Sequence, residues 1–275
     1  MPPSGESPVA LTVAGSDCSA GAGAQADLKT FSALGVYGLT ALTCVVAETP
    51  GKVSRIQAVD ADIVVEQIAL LLEAFPIRAI KTGMLYSGEI VARVAQTLRE
   101  HRAATRGVIP LVVDPVMVAT SGDLLLQRDA IKVYEEELFP LAAVLTPNLD
   151  EAATLLGEPI RDLAAMREAG ARLVARYNVP VLLKGGHLGG EHAIDLLFAG
   201  DEVHEFSAPF SRGVHTHGTG CTYAAAIAAE LAKGAELQAA VGTAKRFVTQ
   251  AIAQHLVWED SAGAQVHALN HSAAA

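Results

Sequence analysis

The residues best suited to chemistry are His217-Gly218-Thr219-Gly220-Cys221-Thr222, followed at once by an Ala-rich stretch of helical period. Two glycines let the backbone gather its N–H groups at a helix N-terminus, where the dipole draws oxyanions. The string is an anion cradle in prospect, with Gly218, Thr219 and Gly220 supplying amides. A competing reading is a glycine-rich cap with Thr219 as N-cap. Cys221 would stand in the first helical turn, where a thiolate is stabilised and its pKa lowered, a setting for a base or nucleophile. A lone cysteine there is more often simply buried.

A second string runs from Gly15 through Asp27, a strand exit that leads into a helix. Within it, residues 21–26 satisfy G-x-G-x-x-A, and Glu48 closes the next strand, as in a dinucleotide fingerprint. The register is wrong for that fingerprint, because Gly21 stands six residues after Gly15. No G-x-x-x-x-G-K-[ST] string exists either, so a small-molecule loop is the better assignment. Asn148 and Glu151 form N-x-x-E at another strand-to-helix junction, with Asp114 at the exit of the preceding strand. Such oxygens near phosphates suit Mg²⁺, directly or through water. The same pair also reads as a capping box. Lys184 ends an apolar strand, and a buried lysine must find an anion or lose its charge.

These residues need elements to carry them. Apolar β-branched runs alternate with amphipathic helical stretches to about residue 255, the pattern of an α/β chain with a mostly parallel sheet covered on both faces. Strands are predicted at 9–15, 39–47, 78–85, 110–117, 143–147 and 179–185, with an antiparallel pair at 192–198 and 202–208. Helices are predicted at 24–34, 62–75, 89–102, 129–139, 150–156, 163–177, 219–233 and 237–255. Residues 1–258 read as one domain, and 259–275, with little apolar periodicity, as a loosely held tail.

Composition narrows the partners. With 20 basic against 30 acidic side chains the net charge is −10, which gives no general attraction for nucleic acid or an anionic membrane surface. Cys18, Cys44 and Cys221 have neither disulfide-framework nor zinc spacing, so a reducing cytoplasm fits best. The start lacks the charged and apolar regions of a leader, and the apolar stretch 39–47 is too short to span a bilayer.

Taken together, the strings AGSDCSAGAGAQADLKTFSALGVYG, KTGM, VVDPVMV, TPNLDEA, LLKGGH, FSAP and THGTGCT resemble the ribokinase-like superfamily, specifically the hydroxymethylpyrimidine/phosphomethylpyrimidine kinases of thiamine biosynthesis. The resemblance covers about residues 9–255 and implies a ribokinase-like fold with a small lid element. It also implies use of ATP and Mg²⁺ and two successive phosphorylations of a pyrimidine alcohol. By the same resemblance, the amides of Gly218 to Cys221 form the anion hole, and Cys221 takes the proton of the substrate hydroxyl. Lys184 meets the transferring phosphate, while Asp114, Asn148 and Glu151 position Mg²⁺. Gly15, Ala22, Val46 and Met84 line the acceptor pocket, Glu48 reaches the polar edge of the ring, and Asp27 occupies an active-site position. Relatives commonly form homodimers.

The chain departs from the family pattern in places: Glu48 stands for a usual Gln, Ala20 for Gly, Thr120 for Lys, and His215 for Asn. A carboxylate only accepts hydrogen bonds where an amide also donates, so the identity of the acceptor is open at Glu48. Pyridoxal or pyridoxine kinase is the nearest rival reading. A dehydrogenase and a non-catalytic metabolite-binding protein are the rivals from other classes.

Overall fold

The computed structural model describes residues 7–105, 107–117, 128–186, 188, 190–211, 213–214 and 217–273. Thr120, His187 and His215 lie outside them. Nine strands form one sheet: β1 (Val9–Asp17), β2 (Tyr37–Thr49), β3 (Lys52–Ala58), β4 (Ile77–Thr82), β5 (Leu111–Val113), β6 (Val144–Leu145), β7 (Val181–Lys184), β8 (His192–Ala199) and β9 (Glu202–Pro209). Their order is β3-β2-β1-β4-β5-β6-β7-β8-β9. The six strands from β2 to β7 in that order are parallel; β3, β8 and β9 join antiparallel at the two edges. β8 and β9 form the hairpin expected at Gly200, where φ is 61°.

β3 went unpredicted. It is an edge strand whose Lys52 and Arg55 blunt the alternation that marks a half-buried strand, and such charges also discourage pairing with another chain. With β2 it makes a ribbon whose tip, Thr49 to Val53, overhangs the carboxyl ends of the central strands as the small lid element.

Among the described residues, eight helices cover the sheet: α1 (Gly23–Ala33), α2 (Ala61–Ala74), α3 (Gly88–Thr105), α4 (Arg128–Val133), α5 (Leu149–Leu156), α6 (Leu163–Tyr177), α7 (Thr219–Ala232) and α8 (Leu237–Ala253). The helix predicted at 129–139 is α4 followed by a π-helical turn, Tyr134–Leu138. Successive strand residues face opposite sides, so the sheet builds two cores. Val9, Leu11 and Val13 pack with α2, α3, α5 and α6, whereas Ala10, Ala79, Val112, Val144, Leu182 and Leu197 pack with α1, α7 and α8. The alanines of α7 are buried, and their small side chains let the helix lie close on the strands.

That second face changes character at its end. Two residues beyond each of its apolar positions come Thr12, Lys81, Asp114, Thr146 and Lys184, and on antiparallel β8 comes Asp195. Alternation places all six on the α7 side, at the carboxyl ends of the parallel strands. A polar row therefore lies beneath the first turn of α7.

The segment predicted as a loose tail is ordered over its described residues, which corrects that expectation. β10 (Leu256–Glu259) and β11 (Gln265–Ala268) form a hairpin, Leu269 is 4% exposed, and His271 Nε2 lies 3.0 Å from Thr222 Oγ1 on α7. Polar contacts and one leucine hold this segment, so it leaves no apolar period in the sequence.

Candidate active site

One cleft at the carboxyl ends of the strands gathers most of the predicted residues. Gly15, Ala22, Val46, Glu48 and Met84 line it together with Asp114, Asn148, Glu151, Lys184, Gly218, Gly220 and Cys221. This is where an open parallel sheet places ligands.

Glycine is required twice in its walls. A Cβ on Gly15 would lie 2.7 Å from Cys44 Sγ. Gly218 has φ of 83°, and its Cβ would fall 1.8 Å from the Gly21 carbonyl oxygen. The loop after β1 and the loop before α7 thus touch through backbone. Gly218, not Thr219, is the N-cap of α7, so the capping residue offers no side chain to occupy the helix N-terminus. A Cβ on Gly220 would sit 3.2 Å from Lys184 Nζ and 3.6 Å from Asp114 Oδ2, which brings the first turn of α7 directly against that ion pair.

Asp17 joins the two loops. Its carboxylate accepts from the Ser19, Gly21 and Ala22 amides at 2.7, 3.1 and 2.8 Å, from Ser19 Oγ at 2.9 Å, and pairs with His217 Nε2 at 3.1 Å. These bonds outweigh burial and hold Asp17 down at about 2. His217 is pushed up chiefly by the same hydrogen bond. Glu48 completes a group of three ligating side chains within 4.8 Å of one another, and burial followed by the Asp17 charge pushes its carboxyl up.

At the other end, Lys184 Nζ donates to Asp114 Oδ1 at 2.8 Å, and Thr146 Oγ1 donates to the same oxygen at 3.1 Å. Asn148 and Glu151 do form the capping box of α5, with bonds of 2.9 and 2.8 Å. They line the cleft as well, so both sequence readings hold at once. Burial pushes the Glu151 carboxyl up despite Lys184, and a cation nearby would restore its charge.

The geometry has close counterparts. A family model described as phosphomethylpyrimidine kinase matches residues 17–265. The hydroxymethylpyrimidine/phosphomethylpyrimidine kinase of Rhizobium meliloti is 46% identical over 245 residues, 89% of this chain and 90% of that one. The thiamine biosynthesis bifunctional protein ThiED of Geobacter sulfurreducens is also 46% identical, over 242 residues; the match takes in 88% of this chain and about half of that longer protein, 48%. Among solved structures, an ADP complex of Bacillus subtilis pyridoxal kinase superposes with a TM-score of 0.87 at 37% identity, covering 98% of both chains. The chain belongs to the phosphomethylpyrimidine kinase family.

Two expectations need correction in this kinase. The Cys221 thiol is not lowered: burial pushes it up to about 11, against the pull of Lys81 and a backbone bond from Gly23. Position in the first turn of a helix favours a thiolate only where water or fixed charge can supply what burial removes. Asp27, which the resemblance placed at an active-site position among the substrate-binding residues, does not line the cleft. It lies beneath the floor, fully buried, accepting from Thr12 Oγ1 at 2.6 Å and from Lys81 Nζ at 2.8 Å.

Asp17, His217 and Lys81 are the kinase residues that sequence reasoning left without a role. Asp17 carried a signal, an aspartate followed by Ser19 and Gly21, the makings of a side-chain-to-backbone turn. Lys81 carried the one already used for Lys184, a lysine near the end of an apolar strand. Among the described residues, no helix is long and apolar enough to cross a membrane.

Proposed function

We propose that this phosphotransferase moves the γ-phosphoryl group of ATP to the hydroxymethyl group of hydroxymethylpyrimidine, then adds a second phosphate to the monophosphate, in thiamine biosynthesis. The observation that carries the reading is the convergence of an uncapped helix N-terminus, the Lys184–Asp114 pair and Cys221 in one cleft. Phosphoryl transfer passes through a loose transition state with charge spread over its oxygens, so positioned donors and cations do most of the work. The amides at Gly218 to Cys221 and the Lys184 ammonium would receive that charge.

Mg²⁺ fits this end of the cleft. Asp114 Oδ2 faces Gly220, and Glu151 is a buried carboxyl whose charge a cation would stabilise. Asp114 and Glu151 would hold the ion, directly or through water, with the Asn148 side-chain oxygen already committed to the α5 cap. Bound there, Mg²⁺ neutralises phosphate charge.

Cys221, a thiol near neutral pH in this cleft, would first give its proton to water as the substrates bind, and the resulting thiolate would then accept the hydroxyl proton as the O–P bond forms. The acceptor ring would lie among Gly15, Ala22, Val46 and Met84, with Glu48 at its polar edge. We place the enzyme in the cytoplasm on its cysteine pattern and, by resemblance, as a homodimer, with a single catalytic domain.

A coupled ADP-release assay with each acceptor tests the assignment. Turnover is expected on the pyrimidine alcohol and on its monophosphate. Turnover of pyridoxal with neither pyrimidine used would establish instead the second reading, pyridoxal kinase, which the 0.87 TM-score to the Bacillus enzyme keeps in view. In the same assay Cys221→Ala should lower kcat about a hundredfold or more while the KM for ATP changes little; an unchanged kcat would remove the thiol from the mechanism.

A further inference from the structure

Asp195 is the member of the polar row on β8, buried and outside the walls of the cleft. It stands opposite Lys184, its register partner, where β7 leaves the sheet. Its Oδ1 accepts from the Gly185 amide at 3.0 Å, and its Oδ2 accepts from Lys245 Nζ on α8 at 2.6 Å. Lys245 Nζ also donates to the Ala193 carbonyl at 3.0 Å, so α8, β8 and the exit of β7 meet at one carboxylate. A Cβ on Gly185 would fall 2.2 Å from the Ile194 carbonyl oxygen, so the chain passes tightly over β8 as it turns out of the ladder.

A buried N–H needs an acceptor, and where strand pairing ends a side chain must supply it. A neutral side chain could do so without burying two charges, which is costly. What the carboxylate adds is a charge-assisted bond, stronger than a neutral one, and a lysine that fixes it from α8. The residue served is the one before Gly185. On its other side, the Lys184 backbone N–H donates to the Pro147 carbonyl at 2.9 Å. The ammonium of Lys184 has little latitude: it lies 2.8 Å from Asp114 Oδ1, and a Cβ on Gly220 would stand 3.2 Å from it. We propose that Asp195 is a positioning residue for phosphoryl transfer: through the Gly185 amide it holds the Lys184 ammonium between Asp114 and the first turn of α7, while Lys245 fixes the carboxylate.

The inference rests on the role given to Lys184 under the proposed function, that of receiving phosphate charge. A misplacement of about 1 Å in such a group costs up to about a hundredfold in rate. Substrate binding is spread over walls that Asp195 does not touch, so its loss should appear in kcat and not in KM. Because Asp195 acts through the ammonium, its loss should cost nothing further in turnover once that ammonium is gone. A purely structural role has no such dependence.

The test measures ADP release by the full chain with ATP and hydroxymethylpyrimidine. Asp195→Ala combined with Lys245→Met removes the carboxylate without stranding a buried lysine; kcat should fall about ten- to a hundredfold, with both KM values within about twofold of the parent. Asp195→Asn combined with Lys245→Met returns an acceptor oxygen to Gly185 and should bring kcat back to within about threefold of the parent. Added to Lys184→Met, the first pair of substitutions should lower kcat no further, although it lowers the urea midpoint in both backgrounds. An equal fall in kcat with and without the Lys184 ammonium overturns the proposal, as does parent kcat in the first double variant. Should that variant fail to fold, Asp195→Glu, which keeps the charge and the lysine but lengthens the arm, is judged by the same two comparisons. Parent kcat in Lys184→Met alone, with Asp195 intact, would instead sink the role of Lys184 and the inference with it. If the parent turns over pyridoxal and not the pyrimidine, the acceptor assignment falls, and the same comparisons with pyridoxal decide the role of Asp195.

Discussion

Asp17 shows how one side chain can build a cleft. Its carboxylate organises the turn after β1 and ties it to His217, which precedes the N-cap of α7. The two groups titrate in opposite senses. Asp17, depressed in the folded protein, contributes stability above its ordinary value of 3.8 and loses it as the pH falls toward about 2. His217, raised by Asp17, contributes fully below 6.5 and loses that contribution as the pH climbs through its folded value. The clasp is therefore tightest between 3.8 and 6.5 and loosens on the alkaline side. Amide exchange at Gly21 and Ala22, corrected for its intrinsic pH dependence, should accelerate on the alkaline side of 6.5 as His217 loses its proton, and His217→Asn should abolish that alkaline limb. Identical profiles in the two proteins would show that the imidazole does not hold the loop.

At the scale of elements, α7 carries the site because it fits the sheet so closely. Ala224, Ala225, Ala226, Ala228 and Ala229 are each 0% exposed, and alanine is both the best helix former and the smallest side chain with a Cβ. Its N-terminus is thereby held over the polar row. Ala225→Leu would force extra atoms into this interface and should cost about 1–3 kcal/mol in urea denaturation. It should also reduce turnover by lifting the first turn away from Lys184; full activity in a destabilised variant would mean that the helix seat does not set the site geometry. The alternation of elements and the glycine-rich start of α7 were legible from residue order. The edge strand β3 was not, since charges mask its period, and neither was the interruption of the helix after Val133 by a π-helical turn.

For the molecule as a whole, the C-terminal segment closes the structure back onto the site. His271 reaches Thr222, the neighbour of Cys221, and the Asn270 amide donates to the Ala251 carbonyl at 3.1 Å. Burial holds His271 down at about 4, so its contribution is complete above 6.5 and lost as the pH falls through 4. Removing residues 259–275 should lower the unfolding free energy by about 2–4 kcal/mol, from Leu269 burial and a few hydrogen bonds. It should also flatten the decline of stability between pH 6.5 and 4. A truncated chain with unchanged denaturation midpoint and turnover would return this segment to the status of a loose tail.

The family resemblance named Gly15, Ala22, Val46 and Met84 in the cleft wall; residue order by itself determined the layered α/β plan, the helix that begins at the glycine string, and the strand exits that supply the cleft. These follow from local rules: periodicity picks the elements, and parallel strands send their carboxyl ends to one edge. Tertiary packing decided the rest. Whether Cys221 is a thiolate, whether Asp27 meets substrate or Lys81, and whether the last residues hang free all depend on burial and on charges distant in sequence. A pattern read along the chain carries no measure of the water removed from a group or of the partner brought to it across the sheet.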